Sequence, residues 1–225
     1  MKKLVIFDFD GTLVDTITDV GICFNQALKA CDFPQHPLES FGALVGGNLE
    51  TVVSRMLPED QVTEENITAV KTIYRKAYLQ SEKPNTRPYE GAEALLSELK
   101  QKGCRLAVNS NKGQQLLDDM ADKLFAPGTF DAVVGYREDR PSKPDPYGVY
   151  QICNACGCST DQAVYIGDGK SDVETAANAG IPCIYVTWGQ GKQEDWNTRF
   201  KAEVVNTIPE LREALTGEKK IKERS

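Results

Sequence analysis

Short runs of consecutive apolar residues recur along the chain, each ending at a polar or glycine-containing turn. The first is Leu4-Val5-Ile6-Phe7, which stops at Asp8. Residues 105–109, 132–135, 163–167 and 182–186 have the same form, and 203–205 add a candidate edge. Runs that stay apolar, without alternating with polar positions, fit strands buried on both faces of a parallel sheet. Between them lie helical patterns, such as residues 91–100, where Leu95, Leu96 and Leu99 share a face and Gly103 follows as a stop. Strand alternating with helix predicts an open α/β sheet with right-handed crossovers.

The stretch from Asp15 to Thr86 breaks this rhythm. It has no buried-strand pattern and predicts helices over 16–31, 48–56 and 64–81. An insert of that size is too long for a loop and suits a small subdomain. The expected organisation is a Rossmann-like α/β core from residues 1–14 and 87–225, with helices on both faces of a parallel sheet, and a helical cap from 15–86. Following directly on the first strand, the cap would lie over the carboxyl edge of the sheet, where open α/β sheets bind ligands. Residues 217–225 read as a charged tail.

Composition narrows the choice of partners. The 225 residues include 26 Lys and Arg against 33 Asp and Glu, a formal charge of −7. That balance argues against a nucleic-acid partner. It also means that an anionic substrate would need local positive charge or a bound cation. The N-terminal apolar run is interrupted by Asp8 and Asp10, far short of a membrane span, so no membrane partner is expected. Seven scattered cysteines fit reduced thiols and a cytoplasmic location better than a disulfide framework.

Four strand ends carry polar clusters: Asp8 and Asp10; Ser110 and Asn111; Lys143 in the segment after the third run; Asp168 and Asp172. In a parallel sheet these ends point the same way and should converge on one cleft, where Gly11, Thr12, Ser110, Asn111 and Lys143 are the candidate substrate contacts. One carboxylate can attack phosphorus, and a second can protonate the departing oxygen and later activate water. Gly11 permits a tight turn, so that backbone amides of the Gly11-Thr12 segment can approach phosphate oxygens. Carboxylates would repel a phosphate dianion unless a hard cation intervened, and Mg²⁺ takes oxygen ligands. Asp168 is a candidate ligand, and Lys143 supplies fixed positive charge.

The segments Asp8-Phe-Asp-Gly-Thr-Leu-Val-Asp-Thr16, Val108-Asn-Ser-Asn-Lys112, Ser142-Lys-Pro-Asp-Pro146 and Gly167-Asp-Gly-Lys-Ser-Asp172 resemble, in order, the four motifs of the haloacid dehalogenase-like superfamily. The helical insert after the first motif, and Thr86-Arg-Pro-Tyr-Glu-Gly91, resemble the subgroup containing phosphoglycolate phosphatases. The resemblance implies Asp8 as nucleophile and metal ligand, and Asp10 as general acid/base with its backbone carbonyl on Mg²⁺. It implies Ser110 and Lys143 on the phosphoryl group, Asp168 as a metal ligand and Asp172 further out, holding a metal-bound water or Lys143. The expected activity is Mg²⁺-dependent hydrolysis of a small phosphorylated metabolite through an aspartyl-phosphate, with phosphoglycolate the first candidate and a monomer or homodimer as the working form. A pyrophosphatase, nucleotidase or sugar-phosphate phosphatase of the same family is the alternative, and a non-catalytic phosphate-binding regulator is the alternative from another class. Such a regulator would be free to lose Asp8 or Asp10, and both are present.

Other features carry weaker signals. Cys153, Cys156 and Cys158 have a metal-like spacing but no second pair, and the helical spacing of Cys153 and Cys156 favours packing. His36, between two prolines' reach in a predicted surface loop, is assigned no role. Trp188, beside Gly189, is a candidate to line the cleft or to pack, and Trp196 lies nearby in sequence. Within the insert, Val45-Gly-Gly-Asn48 is a candidate substrate-facing turn, with Arg55 a candidate partner for a substrate carboxylate, or a helix connection with a surface arginine.

Overall fold

A computed structural model of the chain describes residues 2–193 and 199–218. Trp196 and the last seven residues of the charged tail lie outside them.

Among the described residues, six parallel strands form the core sheet: β1 (Leu4–Phe7), β4 (Arg105–Gly113), β5 (Ala132–Tyr136), β6 (Ala163–Gly167), β7 (Cys183–Val186) and β8 (Glu203–Val205). Their order across the sheet is β5-β4-β1-β6-β7-β8. Strand β1 lies centrally, in register with β4 through Leu4–Arg105 and with β6 through Leu4–Ala163. Its side chains alternate between two cores. Val5 and Phe7 face one side with Leu106, Val108 and Ile166; Leu4 and Ile6 face the other with Ala107, Tyr165 and Tyr185. Both faces are covered, which is why β1 is apolar at every position. All four of its residues are at most 1% exposed, and each such side chain contributes roughly 1.5–3 kcal/mol by burial.

Helices flank the sheet on both faces. The first core includes α5 (Ala92–Gln101), α6 (Gln114–Leu124) and α9 (Ile208–Thr216), through residues such as Leu99, Leu117 and Leu211. The second includes α7 (Tyr147–Cys156) and α8 (Lys170–Ala179), through Val149, Ile152 and Ala176. Cys153 belongs to this second core, and Cys156 packs at its border, as helical spacing predicts. Helix α7 ends on Gly157 at φ +62°, a left-handed position that suits glycine.

Between β1 and α5 the chain forms α1 (Ile17–Ala30), α2 (Phe41–Leu44), α3 (Leu49–Met56) and α4 (Glu64–Gln80). Helices α1 and α4 pack together through Phe24 and Tyr74, whose rings stack at 3.7 Å and 7°. Asn48 and Thr63 start α3 and α4 by accepting the amides of Thr51 and Asn66 at 2.9 and 3.2 Å. A short antiparallel ribbon, β2 (Val14–Asp15) with β3 (Arg87–Pro88), joins the two chain crossings between insert and sheet. Just inside it, buried Asp19 accepts the Asn85 amide at 3.0 Å, its side-chain amide at 2.9 Å and the Thr86 hydroxyl at 2.7 Å.

Three features of the insert have a plain structural use. His36 is half-buried: its backbone pairs with the Asn25 side chain, and its ring Nε2 lies 2.8 Å from the Met56 carbonyl. The Arg55 guanidinium turns onto the carbonyls that end α2, 2.8 Å from the Gly46 oxygen. Gly46 and Gly47 take φ values of +108° and +89°, which lets the chain fold back beneath that arginine.

Candidate active site

The carboxyl ends of β1, β4 and β6, with the loop after β5, converge on one point. Beyond Phe7 the chain continues the ladder for one residue, the Asp8 amide donating to the Ile166 carbonyl at 2.8 Å. It then turns, and Phe9 is buried in the core while Asp8 and Asp10 face the cleft with side chains 13% and 32% exposed. Gly11 makes that turn possible. Its φ is +81°, and a Cβ there would overlap the Asp168 carboxylate. Gly189 allows a second close approach, since a Cβ on it would also run into Asp168.

Lys143 is the electrostatic centre. Its side chain is 4% exposed, with the ammonium 2.9 Å from Asp8 Oδ1 and 2.7 Å from Asp172 Oδ1. Burial opposes the lysine charge, but Asp172 and Asp8 outweigh it and hold the ammonium well above its ordinary range. Asp172 is anchored at the start of α8, where its other oxygen accepts the Gly169 amide at 2.9 Å. Asp168 accepts the Thr12 hydroxyl at 2.9 Å on one oxygen and the Gln190 amide at 2.8 Å on the other.

Oxygens of Asp8, Asp168 and Asp172 all lie within 4.8 Å of one another. Burial, with the neighbouring carboxylates, pushes Asp8 well above the usual carboxylate range despite Lys143. Asp168 is pushed up to about 6, by burial and then Asp172. Three gathered carboxylates against one lysine leave negative charge in excess, and an oxygen-only donor set suits a hard divalent cation. The residues present therefore fit a metal ion.

The remaining sequence candidates are placed as follows. Ser110 is buried at the end of the apolar part of β4, its Oγ accepting the Lys112 amide at 3.2 Å. Asn111, read as a substrate contact, uses its side chain as a two-point clamp on Lys143: its oxygen accepts the Lys143 amide at 3.0 Å, and its amide donates to the Lys143 carbonyl at 3.3 Å. Thr12, also read as a substrate contact, is 1% exposed and gives its hydroxyl to Asp168. Both side chains hold other site residues in position. Trp188 closes the back of the turn, its indole donating to the Thr12 carbonyl at 3.1 Å and its ring edge-on to Tyr89 at 6.4 Å.

Lys112, outside the expected site set, belongs to the cluster. Its side chain is 7% exposed, with the ammonium 3.1 Å from Asp10 Oδ1 and 4.7 Å from the centre of the Tyr78 ring on α4. Thr16 donates to the same Asp10 oxygen at 2.7 Å. Its signal in the sequence was a lysine two residues beyond Ser110, where the strand end projects into the cleft.

Comparisons with known proteins agree with this geometry. Residues 5–186 match the family model described as haloacid dehalogenase-like hydrolase. A phosphoglycolate phosphatase of Aquifex aeolicus is 30% identical over 84% of this chain and 87% of its own length. One of Pseudomonas savastanoi pv. phaseolicola is 29% identical over 84% of this chain and 71% of its own. A Lactobacillus delbrueckii subsp. bulgaricus crystal structure, of a protein proposed to be a phosphoglycolate phosphatase, superposes with a TM-score of 0.89 at 29% identity, covering 97% of this chain and all of that one. With a carboxylate and lysine cluster at the strand ends of a matching parallel sheet, the chain belongs to the haloacid dehalogenase-like hydrolases.

Proposed function

We propose that this hydrolase cleaves a small phosphomonoester through a covalent phosphate on Asp8. The observation that carries the reading is the placement of the Asp8 carboxylate between the Lys143 ammonium, at 2.9 Å, and the oxygens of Asp168 and Asp172. Both the Lys143 contact and that of the Phe9 amide, at 2.7 Å, fall on Oδ1. Asp8 Oδ2 is then the attacking oxygen. It forms a bond to phosphorus as the bond from phosphorus to the alcohol oxygen breaks. Asp10 delivers its proton to that departing oxygen. A water then attacks the phosphorus of the acyl-phosphate while Asp10 takes the water's proton, and the phosphorus–Asp8 bond breaks to restore the carboxylate.

Lys143 and the Ser110 hydroxyl would hold the non-bridging phosphoryl oxygens, with Asn111 fixing the lysine's backbone for that task. Asp8, Asp168 and the Asp10 carbonyl would hold Mg²⁺, with Asp172 orienting Lys143 from behind. When bound, the cation supplies positive charge against the phosphate and keeps Asp8 ionised. Residues 15–86 would act as a cap, with the β2–β3 ribbon as its hinge, excluding bulk water from the acyl-phosphate.

Phosphoglycolate is the proposed first substrate, on the strength of the Aquifex and Pseudomonas relatives. The test is phosphate release with Mg²⁺ from an aryl phosphate and a metabolite panel containing phosphoglycolate, pyrophosphate, nucleotides and sugar phosphates. Asp8→Asn is expected to lower the rate by more than about 10³-fold. Retention of the rate in that variant would overturn the mechanism, and binding of phosphorylated ligands without turnover across the panel would favour a phosphate-binding regulator.

A further inference from the structure

Lysines crowd the place where the insert meets the sheet, beside Asp10. Two lysine ammoniums converge on one aromatic ring: Lys112, from the end of β4, is 4.7 Å from the Tyr78 ring centre, and Lys83, after α4, is 4.8 Å from it. Asp10 balances Lys112 at 3.1 Å. Lys83 has no ion pair among the described residues; its ammonium donates to the Ser81 carbonyl at 2.9 Å. The carboxylate of Asp19 keeps its charge and acts on Lys83 at longer range, its oxygens being engaged by Asn85 and Thr86. Burial and the charge on Lys112 both depress the Lys83 ammonium below its ordinary range. The backbone at Lys83 is also strained, at φ +54°, a conformation that costs a non-glycine residue stability and persists where its surroundings hold it. The Tyr78 hydroxyl is buried beside the Thr86 hydroxyl, which turns its proton to Asp19 at 2.7 Å.

Cation–ring contacts alone would explain one lysine on Tyr78. Two mutually repelling ammoniums, one paired directly with Asp10 and the other with no carboxylate in contact among the described residues, leave Lys83 able to take a ligand anion. Its position decides which anion. Lys112 sits against the group that would protonate the departing oxygen, so the lysine pair lies toward the alcohol half of the ester, away from the phosphoryl group held by Lys143.

We propose that Lys112 and Lys83, gathered on Tyr78, form a subsite for a carboxylate carried by the alcohol half of the substrate. This rests on the phosphatase reading above and deepens it: the substrate class is a short phosphorylated hydroxy acid, and the two lysines set the preference. They are specificity residues, and Lys112 also positions Asp10.

The test separates the subsite from turnover. Isothermal titration of the Mg²⁺-loaded protein compares phosphonoacetate with ethylphosphonate, ligands of similar size with and without the carboxylate. Phosphonoacetate is expected to bind about tenfold more tightly or better, the worth of a charge-assisted contact. Lys83→Met should erase most of that ratio, and Lys83→Arg should keep it. Equal affinities in the wild type, or a Lys83→Met variant that retains the ratio, would overturn the subsite. A parallel kinetic ratio, kcat/KM for phosphoglycolate over 2-hydroxyethyl phosphate, should fall by a similar factor in Lys83→Met. Turnover of both esters with no preference in either assay would remove the subsite and leave the phosphatase standing. The binding preference without turnover of any ester would support the subsite and remove the phosphatase. Melting temperatures of the variants identify any that fail to fold, and Lys83→Gln then replaces Lys83→Met.

Discussion

Lys143→Met tests the electrostatic frame of the site directly. The native side chain is 4% exposed and its ammonium lies within 3 Å of both Asp8 and Asp172. Methionine fills most of the same volume but leaves two buried carboxylates facing each other without a counter-charge. Removing one member of a buried ion pair costs about 3–5 kcal/mol. In a chain of this size that lowers the melting temperature by about 6–20 °C, at 2–4 °C per kcal/mol. The pH dependence has a definite sign. The raised lysine contributes fully below its ordinary range and is lost only above its folded value, so its own charge gives no slope between pH 5 and 8. Asp8 is raised in the folded state, and more so without Lys143, so folding takes up a proton there and stability increases as pH falls. The deficit of Lys143→Met should therefore be largest at pH 8 and smaller at pH 5, in thermal melts run with EDTA. A variant melting within 2 °C of wild type at pH 8, or a deficit that grows toward pH 5, would refute the account.

Asp168 is pushed up to about 6, so protons should compete with Mg²⁺ below that pH; the Mg²⁺-induced rise in melting temperature should shrink from pH 8 to pH 5 and vanish in Asp168→Asn. Gly11→Ala meets both a φ of +81° and the Asp168 carboxylate; it should cost more than about 1 kcal/mol in urea unfolding and weaken Mg²⁺-dependent stabilisation. Asp19→Ala strands three donors at the hinge and should cost about 3 kcal/mol, with limited proteolysis opening first near Asn85.

Sheet and site were legible in the sequence for different reasons. Strands such as β1 and β6 announce themselves because burial on both faces demands apolar side chains at every position. The four polar clusters were legible because strand ends in a parallel sheet share a direction. The β2–β3 ribbon was not, since two residues per strand carry no periodicity. Strand β4 runs on to Gly113, beyond the apolar stretch, because the register with β5 shifts between Asn109 and Gly113 and pairs Gly113 with Tyr136. The side-chain partners of Thr12 and Asn111 were not legible for a related reason: residue type shows what a side chain can bond, while its partner depends on the approach of Asp168 and Lys143 from more than thirty residues away. Lys112 was overlooked because its partner Tyr78 comes from the insert, whose docking no local pattern encodes.

The β2–β3 ribbon also bears on how the chain finds its fold. Strand β1 pairs with β4 through Leu4 and Arg105, across the entire helical insert. Left open, that connection would make the central pairing of the sheet a slow, long-range search. Pairing Val14 with Pro88 clasps the insert at its base, so that β1 and β4 meet across a much shorter effective loop. Four residues of ribbon thereby let the helices assemble on their own timescale, and a ribbon-breaking substitution should slow refolding more than it lowers stability.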